Sequence, residues 1–123
     1  MSGIYQLGMG ALASTSDLSA KVGYFGKLSS GSVAIAGAGE GEGVIMDGGN
    51  VSGDRVALSL GAPIPVVAGA AIALNAKLQS DAAGKARTAE SGDAPIGRAL
   101  TAADADGDWF WAVIFPVADE VIP

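Results

Sequence analysis

Residue types that commonly perform catalysis are either missing from this sequence or scattered along it. Its 123 residues include no histidine and no cysteine, so the most frequent general base and the strongest protein nucleophile are both absent. Serines are plentiful, but none stands in the Gly-x-Ser-x-Gly elbow typical of serine hydrolases. Acid–base chemistry would fall to carboxylates in turn-like segments. The sequence therefore predicts a protein that is not an enzyme and that uses no cofactor.

Three aspartates cluster shortly before the C-terminal end, at Asp104, Asp106 and Asp108. This spacing resembles the start of an EF-hand calcium loop, which requires glycine at its sixth position and glutamate at its twelfth. Those two positions hold Trp109 and Phe115. The segment therefore predicts a solvated acidic turn without a metal site, with a loosely held calcium ion as the alternative.

Four glycines alternate with other residues along residues 37–43. The Gly-x-Gly-x-x-Gly pattern of nucleotide-binding loops cannot be completed there, and no Gly-Lys-Ser/Thr follows. Glu40 and Glu42 lie between the glycines and would repel a phosphate group. The pattern predicts a mobile loop instead.

Charge and hydropathy limit the partners of the chain. Its net charge is −6 and its pI about 4.3, which disfavours binding to nucleic acid. The longest nearly apolar stretch, residues 62–74, is interrupted by proline and glycine and is too short to span a bilayer. Residues 1–13 lack the basic residues of a signal peptide. We expect a soluble protein synthesised in a cytoplasm, with no membrane or nucleic-acid partner.

Short apolar runs separated by turn residues predict a mainly β fold. Pro63 and Pro65 indicate a turn or a sheet edge, because proline lacks the N–H that a central strand donates. The many short strands favour a single-domain β-barrel or β-sandwich over residues 22–123, with an alanine-rich, finely packed core. Strands are expected at residues 22–28, 32–36, 44–46, 55–60, 85–89, 96–100 and 109–116, with two further pieces in residues 66–78 broken near Leu74 and Asn75.

Residues 1–21 show neither a helical nor a strand period and predict an extended N-terminal arm. A frayed terminus and an arm that becomes ordered on a partner both fit this pattern. Residues 16–23 are compatible with one helical turn. The side chains expected to anchor such an arm on a partner are Ile4, Tyr5, Leu7, Met9 and Leu12.

The last predicted strand is apolar on both faces, which requires cover on both sides. It is either the central strand of the domain or a strand with one face covered by a neighbouring subunit. In the second case the candidates for the subunit interface are Trp109, Trp111 and Phe115, which alternate along one face.

Residues 54–116 resemble the decoration, or head cement, proteins of tailed bacteriophage capsids. The resemblance is carried by residues 53–58, 65–74, 77–86 and above all 95–108, where Pro-Ile-Gly-Arg-Ala-Leu leads through a turn into the last strand. It implies a small β-rich protein, often trimeric, on the outer capsid surface. In that family the N-terminal segment often contacts the shell, in agreement with the predicted arm.

These observations predict a structural virion protein that binds the major capsid protein as a homotrimer and stabilises the shell. The alternative is a fibre, tail or spike-associated module that binds host glycans through exposed Trp109 or Trp111. Burial of both indoles, in the monomer or in a trimer core, would exclude that alternative. A metal-dependent enzyme would instead require the carboxylates of residues 104–108 to converge on one ion.

Overall fold

A computed structural model describes residues 9–13, 21–29, 32–47, 55–115 and 118–123. These residues form ten β-strands, and none of them belongs to a helix that is long and apolar enough to cross a membrane. The strands are β1 (Met9–Ala13), β2 (Phe25–Ser29), β3 (Ser32–Ile35), β4 (Gly43–Asp47), β5 (Arg55–Ser59), β6 (Gly61–Val67), β7 (Lys77–Ser80), β8 (Ala86–Thr88), β9 (Gly97–Ala99) and β10 (Trp109–Ile114).

The strands form two five-stranded antiparallel sheets. Sheet 1 has the order β1-β5-β4-β2-β3, and sheet 2 has the order β6-β10-β9-β7-β8. Each sheet uses one continuous half of the chain, and the chain passes from sheet 1 to sheet 2 once, at Leu60. The predicted mainly β fold is confirmed. Of its two forms the sandwich fits, since the described strands do not close into a barrel.

The core between the sheets is built from small and medium side chains. Its buried cluster includes Phe25 and Val44 from sheet 1, and Leu78, Phe110 and Ile114 from sheet 2. Six of the fourteen buried residues in this cluster are alanine, so much of the core consists of small side chains. The finely packed core expected from the composition is present in the described part of the chain.

Proline placement and turn chemistry agree with the sequence-based expectations. Pro63 and Pro65 lie within β6, which is an edge strand hydrogen-bonded to β10 on one side. The break in the alanine-rich segment falls at Leu74 and Asn75, where Asn75 has a φ of +69° and the Ala76 N–H donates to the Ala73 carbonyl. An αL residue inside a turn explains why a helix does not form there.

The described part of the predicted arm is a strand at the edge of sheet 1. Residues Met9 to Ala13 pair antiparallel with β5, from Met9 opposite Ser59 to Ala13 opposite Arg55. The sequence pattern gave no strand period here because glycines interrupt it, and pairing with β5 supplies what local propensity lacks. Ile4, Tyr5, Leu7 and most of the helical turn expected at residues 16–23 lie outside the described residues.

Candidate functional site

Strand β10 presents two aromatic side chains on the outer surface of sheet 2. Phe110, Ala112 and Ile114 point into the core and are buried, whereas Trp109 and Trp111 are 56 % and 48 % exposed. The strand lies between β6 and β9, so it is an internal strand of its sheet. Its inner face is covered by the core, and its outer face remains open in the described structure. The two indoles are therefore not buried within the single chain, and their burial between subunits stays a prediction.

Neighbouring strands extend this surface on both sides of β10. Val67 of β6 lies opposite Trp109, and Pro65 lies opposite Trp111. On the other side Arg98 of β9 lies opposite Val113. Directly opposed residues in an antiparallel pair share one face. We call the resulting surface the tryptophan face; its members are Pro65, Arg98, Trp109, Trp111 and Val113.

The indole of Trp109 rests on a glycine turn. Gly23 has a φ of +87°, and a Cβ atom built on it would lie only 2.5 Å from Cζ3 of Trp109 and 2.6 Å from Cη2. The Gly23 N–H donates to the Ile45 carbonyl over 2.7 Å, and the Gly23 carbonyl accepts from Val67 N–H over 3.0 Å. The turn therefore links both sheets and seats one edge of the indole, leaving more than half of Trp109 exposed.

Polar groups surround the open indole of Trp111. Its backbone N–H donates to Thr101 Oγ1 over 3.0 Å. Arg98 donates from Nη1 to Asn75 Oδ1 over 2.8 Å, a neutral acceptor. Lys77 of β7 lies opposite Arg98 in register and contacts the exposed Asp119 carboxylate over 3.3 Å. The tryptophan face thus has a cationic polar border on the β9–β7 side.

Phe115, the third residue predicted for a subunit interface, follows β10 and is half-buried. Its N–H donates to the Ile96 carbonyl over 2.8 Å, which continues the strand contact beyond Ile114. Of the residues predicted to contact a capsid, Met9 and Leu12 lie in β1, and the structure describes only their backbone. Contact with a capsid or with a second subunit stays a prediction for all of these residues.

The glycine-rich segment of residues 37–43 is tied to both sheets. Glu40 Oε1 accepts from the Gly37 N–H over 2.9 Å and from Lys27 Nζ over 2.8 Å. The hydrogen bond from Lys27 is the main reason that the pKa of Glu40 lies below its usual value. Glu42 Oε1 accepts from the Leu28 N–H over 2.7 Å. Both glutamates thus make side-chain contacts that hold the loop against β2 and its own backbone, and the mobility of the loop stays a prediction.

A buried glutamine fastens this loop to sheet 2. Gln79 is 2 % exposed, and its Oε1 accepts from the N–H groups of Gly41 and Ser80 over 2.9 and 2.8 Å. Its Nε2 donates to the Ala94 carbonyl over 2.8 Å. One side chain therefore satisfies groups from the glycine-rich loop, from β7 and from the segment before β9. Sequence analysis missed this role because a lone glutamine in a short strand carries no signal for burial.

A second fastening lies in the segment between β8 and β9. Arg87 makes a two-pronged contact with Asp93, Nη1 to Oδ2 over 2.6 Å and Nη2 to Oδ1 over 3.2 Å. The two side chains are 21 % and 12 % exposed. The Arg87 guanidinium lowers the pKa of Asp93 below its ordinary value, and Asp93 raises the pKa of Arg87. This pair closes a loop and touches no group of the tryptophan face in the described structure.

The acidic turn before β10 is built as predicted from its sequence. Asp108 Oδ2 accepts from the N–H groups of Asp104 and Ala105, each over 3.1 Å. Asp106 instead pairs with Lys85 Nζ over 2.9 Å and thereby raises the pKa of that lysine. Within the described ranges no group of three acidic residues is placed to hold a metal ion. The carboxylates serve the turn and the adjoining strand.

By its structure, the described part of the chain is a small antiparallel β domain with two sheets. No protein-family model matches the chain, and no curated protein sequence matches it significantly. The fold is similar to the crystal structure of the N base of the head fibre gp8.5 of bacteriophage phi29, with a TM-score of 0.68. The similarity covers 91 % of this chain and 97 % of that chain at 19 % sequence identity, and it shows a shared fold.

Proposed function

We propose that this chain is a structural component of a bacteriophage particle and that it attaches to the outer surface of the capsid. One observation carries the proposal, namely the fold similarity to a phage head-fibre base over 91 % of this chain and 97 % of that one. Because the similarity extends over nearly the whole of both chains, it concerns the entire module and not a single sheet. The resemblance of residues 54–116 to capsid decoration proteins leads independently to the same location.

Between the two forms of this role, the structural similarity favours the base of a head fibre. A decoration protein that reinforces the shell without carrying a fibre is the second candidate, supported by the sequence resemblance. Both roles require a rigid fold with a surface complementary to a repeated lattice. Neither requires catalytic groups, and in this proposal the chain catalyses no reaction.

The partner in this proposal is the major capsid protein, contacted through the N-terminal segment. β1, which directly follows that segment, lies at an edge of sheet 1, so it has one strand neighbour in the sheet order. We further expect three copies at each docking position, as the family resemblance implies. When one copy of a trimer is bound, the other copies are held at a high effective concentration near their own coat subunits. The trimer therefore binds tightly even if each single contact is weak.

Co-sedimentation with capsids tests the proposal directly. Purified chain is mixed with expanded capsids of the cognate phage that lack it, and bound protein is quantified across a concentration series before imaging by cryo-electron microscopy. The expected result is saturable binding with density at regular lattice positions. Capsids already occupied by the native protein serve as the control and should take up little more. Protein that stays in the supernatant at all concentrations, with bare capsids in the images, would overturn the proposal.

A further inference from the structure

We propose that the tryptophan face is a carbohydrate-binding site, in which sugar rings stack on the indoles of Trp109 and Trp111. The two residues alternate along β10, which places their side chains about 7 Å apart on one side of the sheet. Each indole keeps about half of its surface exposed. Sugar rings have apolar C–H faces and polar edges. An exposed indole is suited to such a ligand because its flat apolar ring stacks on the C–H face while the sugar edges stay in water.

The first indole is held in place before any ligand arrives. Trp109 lies against Gly23, whose backbone is fixed by hydrogen bonds to Ile45 and Val67. Val67, opposite Trp109 on β6, is itself buried and limits movement of the ring from that side. A side chain that is already ordered loses little conformational entropy on binding. An indole that serves no binding function has no need of a glycine seat that leaves it more than half exposed.

Hydrogen-bond donors border the stacking surface. Arg98 is diagonal to Trp111 across the β10–β9 pair, within reach of a long side chain. Its observed partner is the neutral Asn75 oxygen, and the described residues place no carboxylate on its guanidinium. Lys77 lies beside it in register and is paired with the Asp119 carboxylate. Arg98 is therefore the cation placed to donate to sugar hydroxyls and to the carboxylate or phosphate groups of acidic polysaccharides.

The main competing occupant is a second copy of this chain, as the predicted subunit interface implies. From the area of a tryptophan side chain, the two indoles expose together about 260 Å². A standard protein interface buries about 800 Å² on each partner, so most of the contact would have to come from the border. The small aromatic area, bordered by the Arg98 guanidinium, therefore favours a compact, oxygen-rich ligand.

Carbohydrate binding by the tryptophan face would be an activity in addition to the proposed structural role, and it is testable without capsids. The choice of bacterial polysaccharides as probes rests on the proposed phage function. Failure of the two proposals is distinguishable, because capsid docking is tested by sedimentation and sugar binding is tested on the isolated full-length chain.

The experiment uses a microarray of purified bacterial surface polysaccharides, followed by titration of the best array polysaccharide with tryptophan fluorescence and calorimetry. Trp111→Ala removes the indole that is not seated on glycine, so the fold should persist, and binding should weaken about tenfold or more. Arg98→Gln should weaken binding of acidic polysaccharides more than of neutral ones. The matched control is Leu28→Ala, which removes a 49 % exposed side chain from sheet 1 and should leave binding unchanged.

The result that supports the proposal is polysaccharide binding that falls in Trp111→Ala and persists in Leu28→Ala. Absence of binding to every polysaccharide on the array overturns it. Binding that Trp111→Ala leaves unaltered also overturns it, because the sugar would then lie elsewhere. The molar mass of each variant is measured by light scattering in parallel. A native oligomer that dissociates in Trp111→Ala assigns the tryptophan face to a second copy and refutes carbohydrate binding there.

Discussion

Replacement of Gln79 by leucine should destabilise the domain more than any exposed substitution. Leucine has nearly the same volume as glutamine, so the change removes hydrogen bonds without opening a large cavity. The native side chain accepts from the Gly41 and Ser80 N–H groups, which are buried contacts, and donates to the Ala94 carbonyl in a part-buried contact. Leaving a buried polar group without a partner costs about 1–3 kcal/mol. For the three groups together we expect a loss of about 3 kcal/mol from the free energy of unfolding, the lower end of that range.

The expected loss is large relative to the stability of a small domain. Native domains are stable by about 5–15 kcal/mol, so the variant should remain folded at 25 °C but unfold at lower temperature. For a chain of 123 residues, a loss of about 3 kcal/mol corresponds to a fall in Tm of about 12 °C. Urea titration followed by far-UV circular dichroism gives the free energy, and calorimetry gives Tm.

A second variant separates hydrogen bonding from shape. Gln79→Glu keeps the acceptor oxygens, but its carboxyl donates to Ala94 only when protonated. Burial raises the pKa of such a carboxyl above its unfolded value of about 4.3. Relative to the wild type, this variant should be nearly as stable at about pH 4 and should lose stability as pH rises through the raised pKa. A loss below about 1 kcal/mol for Gln79→Leu, or a pH-independent deficit for Gln79→Glu, would refute the reasoning.

Three further changes test the loop pair, the glycine seat and the predicted arm. Asp93→Asn should cost about 1–3 kcal/mol at pH 7. Since Arg87 lowers the pKa of Asp93, the native stabilisation exists above about pH 4 and disappears as pH falls through the folded pKa, so the deficit of the variant should shrink in acid. Gly23→Ala should destabilise the domain more than the matched Gly92→Ala, because both glycines have positive φ but only at Gly23 does a Cβ meet the Trp109 ring. Deletion of residues 1–8 should lower capsid occupancy and leave the circular dichroism spectrum unchanged, since β1 is retained.

Each of these changes has an outcome that contradicts it. An Asp93→Asn deficit equal at pH 3 and pH 7 in urea titrations would mean that the ion pair does not contribute. Equal losses of unfolding free energy in Gly23→Ala and Gly92→Ala would show that a Cβ at position 23 does not clash with the Trp109 ring. Undiminished density on capsids decorated with the shortened chain would exclude the N-terminal residues from docking.

Local pattern predicted most of the strands because turn chemistry and alternation are local properties. Proline at positions 63 and 65 indicated an edge, and β6 is one. The alternation along β10 correctly separated the two faces of that strand. It did not reveal which face would be open, because cover is supplied by residues distant in sequence.

The features that sequence analysis missed depend on long-range partners. β1 has an interrupted apolar pattern and becomes a strand through its ladder with β5. The role of Gln79 follows from its contact with Gly41, which is 38 positions away. The contacts that Glu40 and Glu42 make in the glycine-rich loop were likewise not predicted, because composition does not encode them.

The single passage of the chain between the sheets, at Leu60, makes the two halves of the sequence separable units of inheritance. A recombination event at that point exchanges a complete sheet and leaves every strand ladder within each half intact. The contacts that cross the halves must then agree, and they include the hydrogen bonds of Gly23 with Val67, of Phe25 with Gly84 and of Gly41 with Gln79. The shared buried core must agree as well. A domain of this kind is able to diversify its exposed tryptophan-bearing half while keeping the half that carries the N-terminal edge strand.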